Sequence, residues 1–344
     1  MAVWDHSMDG VPWTPSKMRR AVKILREGAS VSFAFGAEPL DRLAVLDEKV
    51  LRLRPDLVLH VWSTAAGSGL DDEQVASLAA LQHLRHLKVT GVKRARLAPL
   101  AALRTLESID LGLGCNLDPA FLVPLSKLRK VRLRAKVVDL GPLAELARLE
   151  SLELGGTLGE LEPLGGCARL SSLRFGSTTI GSLEFLSKLS KLRELALDSA
   201  TIAGPLDGIG EARGLTGLSL TSNKNLRDLD FIARLTRLER LRIDQPLVLT
   251  LPDLAKLSKL TDIALGGMKA WTNPEVLETL PRVRHVELKE INPKLAADRF
   301  FFLADSRKLR SLEKVDVRWI DFAKRRREAL QAHFVAAGRA ALLA

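Results

Sequence analysis

A short leucine pattern, LxxLxL, recurs along most of this chain and constrains its fold more than any other feature. The segment 149–170, LESLELGGTLGELEPLGGCARL, contains one complete copy, and the next copy opens at Leu170. Successive copies begin 21 to 23 residues apart. Their first residues are Leu84, Leu106, Leu128, Leu149, Leu170, Leu192, Leu215, Leu238, Leu260 and Val283. A fixed period of this length indicates a stack of similar structural units.

The pattern predicts one β-strand in each copy, because its leucines fall at alternate positions. Leu152 and Leu154 would point into the protein, while Ser151, Glu153 and Gly155 would point away from it. One such strand cannot bury its leucines, but parallel strands side by side form a continuous apolar layer. We use the term open face for the opposite side of this sheet, formed by the alternate strand positions that point away from the leucines.

The second half of the repeat closes the apolar layer from the back. In three copies it reads LxPL, at 97–100, 140–143 and 161–164. Together with the repeat length, this half-motif makes the chain resemble the leucine-rich repeat family, and within it the bacterial internalin-like subclass. The resemblance covers roughly residues 53 to 318. It implies an α/β leucine-rich repeat solenoid, with a parallel β-sheet on the concave face, short helices or turns on the back, and helical caps at both ends.

One feature of that family is largely missing. Many members have an asparagine a few residues after the strand, whose side chain satisfies backbone groups in the turn. Asn223 is the main example here. The corresponding positions otherwise hold Val92, Thr157, Thr178, Ala200, Pro246 and Met268. We therefore expect the turns after the strands to be less regular than in typical members.

The spacing of the pattern divides the chain into three parts. Residues 1–80 are predicted to form an N-terminal cap with irregular repeats, and residues 81–291 hold the regular repeats. Residues 292–344 are predicted to form a C-terminal repeat and a helical cap. Caps are expected because the open end of a repeat stack exposes core residues and an unpaired strand edge.

Local patterns predict the elements of both caps. In the N-terminal cap we expect helices near 16–27, 40–46 and 71–81, and strands at 30–36 and 57–61. In the C-terminal cap, a helix over 321–337 should cover the last strand at 315–317. Its apolar contacts would be Phe322, Leu330 and Phe334.

The composition narrows the classes of protein. With 47% hydrophobic and 27% charged residues, the chain has an ordinary globular balance. No apolar stretch reaches the roughly 20 residues of a membrane helix, and the first residues lack a secretory signal pattern. We therefore expect a cytoplasmic bacterial protein that does not cross a membrane. Cys115 and Cys167 fall in predicted turns and are too few for a disulfide framework.

Motifs that would indicate an enzyme are missing from the sequence. There is no GxSxG, no GxxxxGK[ST], no HExxH and no paired CxxC, so the common hydrolase, nucleotide and zinc signals are absent. His60 and His86 could be neighbours on the open face, but a metal site would need further ligands. The sequence therefore predicts a non-enzymatic protein without cofactor or metal.

The net charge of +11 is unevenly placed. The open-face positions hold ten basic and eight acidic residues, an excess of only two. A further set of cations directly precedes LxxLxL in most copies, and Arg282 and Lys308 continue it. The members that we call the basic edge are Lys127, Arg148, Arg169, Lys191, Arg237 and Lys259. These cations could act only by keeping the protein soluble and by interacting favourably with the dipoles of the short back-face helices. Alternatively, they could contact an acidic partner.

Two clusters on the open face are predicted to bind a partner. The first comprises His60, Trp62, His86, Lys88, Asp110, Lys130, Arg132 and Arg134, and the second Arg240 and Arg242. A tryptophan among charges has the composition of an interface hot spot, although Trp62 could equally fold under the 63–70 loop. The two arginines of the second cluster face small residues that leave them room to reach a ligand. These are Gly217, Ser219, Ala264 and Gly266.

Two functions follow from these surfaces. The first is a monomeric protein-binding scaffold, with an inhibitor, immunity-type or adaptor role, that recognises a protein ligand on the open, concave face. The alternative is a binder of nucleic acid or another polyanion along the basic edge, whose affinity would fall steeply with salt.

Overall fold

The structure, a computed structural model, describes residues 6–10, 12–64, 69–92, 96–319 and 324–343. It contains two compact units, Met1–Leu170 and Ser171–Ala344, which we call the N-terminal and C-terminal units. Within each unit, parallel strands follow one another in chain order and short helices connect them. The three-part division at residues 80 and 291 stays a prediction.

The N-terminal unit is a parallel sheet with helices on its back. Its strands are β1 (Ser7–Asp9), β2 (Ser30–Phe35), β3 (Val58–Ser63), β4 (His86–Val92), β5 (Ser108–Asn116), β6 (Lys130–Val137) and β7 (Ser151–Leu158). Its helices are α1 (Pro15–Ile24), α2 (Asp41–Leu46), α3 (Asp72–Ala79) and α4 (Gly141–Ala144). A π-helical turn at Asp47–Leu51 and 3₁₀ segments at Ala98–Ala102, Pro119–Leu122 and Glu162–Gly166 complete it.

The C-terminal unit repeats this arrangement. Its strands are β8 (Ser172–Ile180), β9 (Glu194–Asp198), β10 (Thr201–Ile202), β11 (Gly217–Thr221), β12 (Arg240–Asp244), β13 (Asp262–Gly266), β14 (His285–Lys289) and β15 (Lys314–Trp319). Its α-helices are α5 (Asp207–Glu211) and α6 (Lys324–Ala336). Its 3₁₀ segments are Glu184–Lys188, Asp230–Arg234, Pro274–Thr279, Ala297–Ala304 and Ala340–Leu342. Among the described residues of both units, no helix is long and apolar enough to cross a membrane.

The leucines of the repeat form the core, as the alternation predicts. In the N-terminal unit Ile109, Val131 and Leu152 are neighbours in register across β5, β6 and β7, and all three are buried. The LxPL segments close the core from behind, and Leu100, Leu143 and Leu164 are fully buried. A proline lies in the first turn of each of these back-face segments. Proline fits there because the first-turn N–H groups lack helical partners anyway.

The N-terminal cap differs from the expected alternation at β2. The helices predicted in this region are confirmed, and α1 is capped by Thr14, whose hydroxyl accepts from the Lys17 amide. In β2, however, residues 31–35 are all buried, so neither face of this strand is open. Trp13 is buried against this strand, and its indole Nε1 donates to the Ser32 carbonyl at 2.8 Å.

The C-terminal cap contacts the rest of its unit through helix α6 and through Leu343. Helix α6 packs against the back-face segment 297–304 rather than directly across the last strand, and Leu330 and Phe334 are buried as predicted. The Phe301 and His333 rings stack with centroids 3.9 Å apart. The strand edge is met by the chain end, where Leu343 forms a bridge with Val315. The predicted contact of Phe322 lies outside the described residues.

Asn223 is buried in the turn after β11 and binds backbone groups there, as the family resemblance implies. In the next repeat, a different residue from the predicted one is buried. The Asn223 side chain accepts from the Ala200 amide and donates to the Leu197 carbonyl, both at 3.0 Å. Pro246 was expected at the equivalent position, but it is exposed, and Gln245 is buried there instead. The repeat lacks the left-handed residue that precedes this position in its neighbours, such as Ser222. The chain therefore enters the core one residue earlier.

We expect these two buried amides to respond oppositely to substitution. Neither amide atom of Gln245 has a hydrogen-bond partner among the described residues, so Gln245→Met should leave the free energy of unfolding unchanged or raise it. Asn223→Ala should lower it by about 1–3 kcal/mol, because two buried backbone groups lose their partner. Urea denaturation of both variants is the measurement. Equal losses of stability would show that the Gln245 amide is bonded after all.

Candidate partner-binding face

The predicted binding residues lie at the open-face positions of their strands. His60 and Trp62 are on β3, His86 and Lys88 on β4, Asp110 on β5, Lys130, Arg132 and Arg134 on β6, and Arg240 and Arg242 on β12. The first eight are in the N-terminal unit and the two last arginines in the C-terminal unit. The residues therefore form two clusters, one on the open face of each unit.

Ion pairs neutralise both arginines of the N-terminal cluster. Arg132 lies between Asp110 and Glu153, with nitrogen to oxygen distances of 3.4 and 2.7 Å. Arg134 lies 3.5 Å from the other oxygen of Asp110. Lys88 and Lys130 have no ion pair within the part of the chain that the structure describes. The free positive charge of this cluster is therefore smaller than the sequence suggests.

The histidines of this cluster are held by neighbouring hydroxyl groups. His60 Nε2 lies 2.9 Å from Thr90 Oγ1, and His86 Nδ1 lies 2.9 Å from Ser108 Oγ. Burial lowers the pKa of both imidazoles below the ordinary value. The nearby Lys88 ammonium lowers the pKa of His60 further. Both side chains are therefore neutral near neutral pH and add no charge to this face.

Trp62 is half-buried rather than exposed. Its ring lies 5.0 Å from the His60 ring, centroid to centroid. Whether the 63–70 loop covers it depends on residues 65–68, which lie outside the described residues. The amphipathic indole keeps part of its surface available on the open face, as an interface anchor requires.

A groove of about 580 Å³ runs along the open face of the C-terminal unit. Its volume is in the range of ligand sites, which is about 300–1,000 Å³. Small residues from three strands, β9, β11 and β13, form its floor: Ala196, Gly217, Ser219 and Ala264. The predicted small neighbours of Arg240 and Arg242 therefore create a concave site, with the exception of Gly266, which does not line it.

Paired charges line the groove on the side of the strand starts. Arg240 Nη2 lies 2.5 Å from Glu194 Oε1, although β11 separates their strands. This pair forms across Gly217, where a Cβ atom would overlap the Glu194 carboxylate. Next in the same row, Asp262 Oδ1 lies 2.6 Å from His285 Nδ1. Burial would raise the pKa of Asp262, but hydrogen bonds with Thr261 and His285 outweigh it and lower that pKa.

Arg242 differs from these groups because its charge is unpaired. Its neighbours in register are Ser219 and Ala264, whose side chains are too short to reach a guanidinium. No ion pair to Arg242 occurs among the described residues, whereas Arg174 has one and Arg240 has two. Sequence reasoning singled out Arg242 but missed His285. The sequence feature that could have identified His285 is its position in register with Asp262, at the start of the next strand.

Known structures share this architecture. An internalin from Listeria monocytogenes is 21% identical, with a TM-score of 0.56 over 85% of this chain and 89% of that one. A leucine-rich repeat protein from Leptospira interrogans is 15% identical, with a TM-score of 0.53 over 96% and 92%. A chain of the Toll–Spatzle complex of Drosophila is 14% identical, with a TM-score of 0.61 over 92% and 43%. This chain has the leucine-rich repeat fold. No protein-family model and no curated protein matches its sequence.

The basic edge lies outside the strand faces of this leucine-rich repeat fold and is free of ion pairs. All six of its side chains are exposed, and none has an ion-pair partner among the residues that the structure describes. The residues two positions later behave differently. There, Arg85 pairs with Glu107 at 3.2 Å and Arg129 with Glu150 at 3.6 Å. The edge cations are thus available to solvent or to an acidic partner.

Both cysteines were predicted to lie in turns, and this prediction was wrong for one of them. Cys115 lies near the end of β5 rather than in a turn, because β5 extends beyond the leucine pattern. Cys167 is in a turn and buried, and burial raises the pKa of its thiol to about 11. In the described ranges, no group of three histidine, cysteine or acidic side chains has the geometry to hold a metal ion.

Proposed function

We propose that this chain is a non-enzymatic scaffold that recognises a protein ligand on its open face. The observation that carries this proposal is the groove of the C-terminal unit, with small residues on its floor and with Arg242, which has no ion pair in the described part of the chain. Leucine-rich solenoids offer an extended surface of this kind for binding. The Drosophila chain with the same fold is part of a complex with Spatzle, which supports a protein as the ligand class.

We propose a monomeric protein of the bacterial cytoplasm with an inhibitor, immunity-type or adaptor role. The open face of the N-terminal unit would offer a separate contact through Trp62, Lys88 and Lys130. Because Lys88 and Lys130 have no acidic partner among the described residues, they would meet acidic groups of the ligand and accelerate association.

A second candidate function is binding of nucleic acid or another polyanion along the basic edge. Its support is the exposure of the edge cations and their lack of ion pairs in the described part of the chain. A polyanion would release counterions from its backbone as these cations bind, so its affinity would depend strongly on salt.

The two functions predict opposite responses to substitution of the open face and the edge. We expect Trp62→Ala and Arg242→Ala each to weaken capture of a protein partner by on the order of 2 kcal/mol, because anchor residues dominate such interfaces. The double variant Lys191→Glu with Arg237→Glu should act mainly on association rate and salt dependence. The measurement is affinity capture from the native lysate with quantitative mass spectrometry, followed by Kd values for the captured partner at about 50 and about 200 mM salt.

The control is the wild-type chain processed in parallel, with circular dichroism to confirm that each variant is folded. A captured nucleic acid, or a protein whose binding is lost in the edge variant while both open-face variants bind normally, would contradict the scaffold hypothesis. That result would favour the polyanion alternative.

A further inference from the structure

We propose that the groove of the C-terminal unit binds an extended protein segment with a single carboxylate side chain, which the guanidinium of Arg242 holds. This inference rests on the proposed function, because it takes the ligand to be a protein. It adds the chemistry of the segment and the residue that selects it.

The middle of the central row of the groove is a trough with one long side chain, and Arg174 and Glu287 bound it at its two ends. Pairing in register places Ala196, Ser219, Arg242 and Ala264 side by side on β9, β11, β12 and β13. We call these positions the trough. With strands about 4.8 Å apart, the trough extends for about 14 Å, the length of roughly four residues of an extended chain. A segment lying across the strands would therefore contact the floor on both sides of Arg242.

Several charges beside the trough already have partners. On one side Glu194 is paired with Arg240, and Asp262 with His285. On the other side Asp198 lies 4.0 Å from Arg174. These groups would have to break an existing ion pair or hydrogen bond to bind a ligand, whereas Arg242 has no ion pair to break among the described residues. Of the three arginines that line the groove, Arg242 is therefore the one without an ion pair among the described residues. The other lining cation without an ion pair there is Lys314, which lies on β15, outside the trough.

The charge of the groove favours one carboxylate over a polyanion. Its lining contains four cations, Arg174, Arg240, Arg242 and Lys314, and four anions, Glu194, Asp262, Glu287 and Asp316. Four minus four leaves no net charge on these eight side chains. A phosphate or an acidic run would bring several charges close to four carboxylates, which costs free energy. A single aspartate or glutamate matches the guanidinium of Arg242, which has no ion pair with any described residue and can bind a carboxylate through two parallel hydrogen bonds.

A random peptide library displayed on phage would test this inference with the full chain as bait. We expect the enriched peptides to contain one aspartate or glutamate flanked by small or apolar residues, and to lack acidic runs. Fluorescence anisotropy with a selected peptide should show that Arg242→Ala weakens binding by about 10- to 100-fold, the worth of a hydrogen bond to a charged group. Replacing the acidic residue of the peptide with its amide should have the same effect.

Three further variants test whether peptide binding depends on the geometry of the guanidinium, on the shape of the trough, or on any change of an exposed arginine. Arg242→Lys keeps the charge without the two-pronged geometry and should recover part of the affinity. Ser219→Trp fills the trough without changing its charge and should abolish peptide binding. Arg227→Ala is the matched control, because Arg227 is an exposed arginine of the same unit that lies outside the groove and the basic edge and has no ion pair among the described residues. It should leave peptide binding unchanged, and thermal unfolding should confirm that all variants are folded.

Several outcomes would overturn the inference: no enriched peptide, acidic runs among the peptides, or peptides that bind Arg242→Ala as tightly as wild type. Binding that Ser219→Trp leaves intact would place the ligand elsewhere and would also overturn it. A lysate partner that depends on Trp62 but not on Arg242 would remove this inference and leave the scaffold function standing. Capture of nucleic acid through the basic edge would instead remove the scaffold function.

Discussion

Replacing Leu152 with alanine is expected to lower the free energy of unfolding by about 2–5 kcal/mol, the range for large-to-small changes in a packed core. Leu152 is 1% exposed and is stacked in register on Val131. Leu195, which is 2% exposed between Leu173 and Leu218, is the equivalent residue of the C-terminal unit. Its replacement should have a similar cost. Because each repeat rests on its neighbours, amide exchange should also accelerate in the adjacent strands.

The matched control for Leu152→Ala is Ser151→Ala, one position earlier on the same strand. Ser151 lies on the open face and is partly exposed, so its replacement should change stability by less than about 0.5 kcal/mol. Chemical denaturation gives the free energies, and hydrogen exchange gives the spread of the effect. If Leu152→Ala were as stable as Ser151→Ala, the strand register described above would be wrong.

Loss of the C-terminal cap is expected to have the second large effect. Phe334 on α6 is fully buried, with 0% exposure, and Phe334→Ala should lower the free energy of unfolding by about 3–5 kcal/mol. Deletion of residues 320–344 removes all of α6 and the bridge between Leu343 and Val315. The deletion should expose apolar surface around Phe300 and Phe302 and an unpaired strand edge, and it should therefore cause aggregation.

Val335 provides the matched control for the cap, because it follows Phe334 on the same helix but is 59% exposed. Val335→Ala should change the free energy of unfolding by less than about 0.5 kcal/mol. Thermal denaturation compares the two point variants, and size-exclusion chromatography with light scattering measures the state of the deletion. A deletion variant that stays monomeric and folded would show that this segment is a tail and not a cap.

The sequence alone was sufficient to predict the strands of the regular repeats, their register and the leucines of their core. A leucine at every second strand position points to one side of a sheet, whatever its neighbours are. The repeat then brings equivalent positions together in register, as for Leu152 and Val131. The placement of Arg242 between Ser219 and Ala264 follows from the same counting. Local alternation and a fixed period therefore determined which residues lie on the open face.

The tertiary structure decided which open-face residues are free to act. Glu194 reaches Arg240 across the small Gly217, so one of two adjacent arginines is neutralised and the other is not. The sequence could not show this difference, because the pair joins residues 46 positions apart and depends on the directions of both side chains. The burial of Gln245 in place of Pro246 has a similar origin. A turn one residue shorter moves a different side chain into the core, and only the path of the backbone reveals which one.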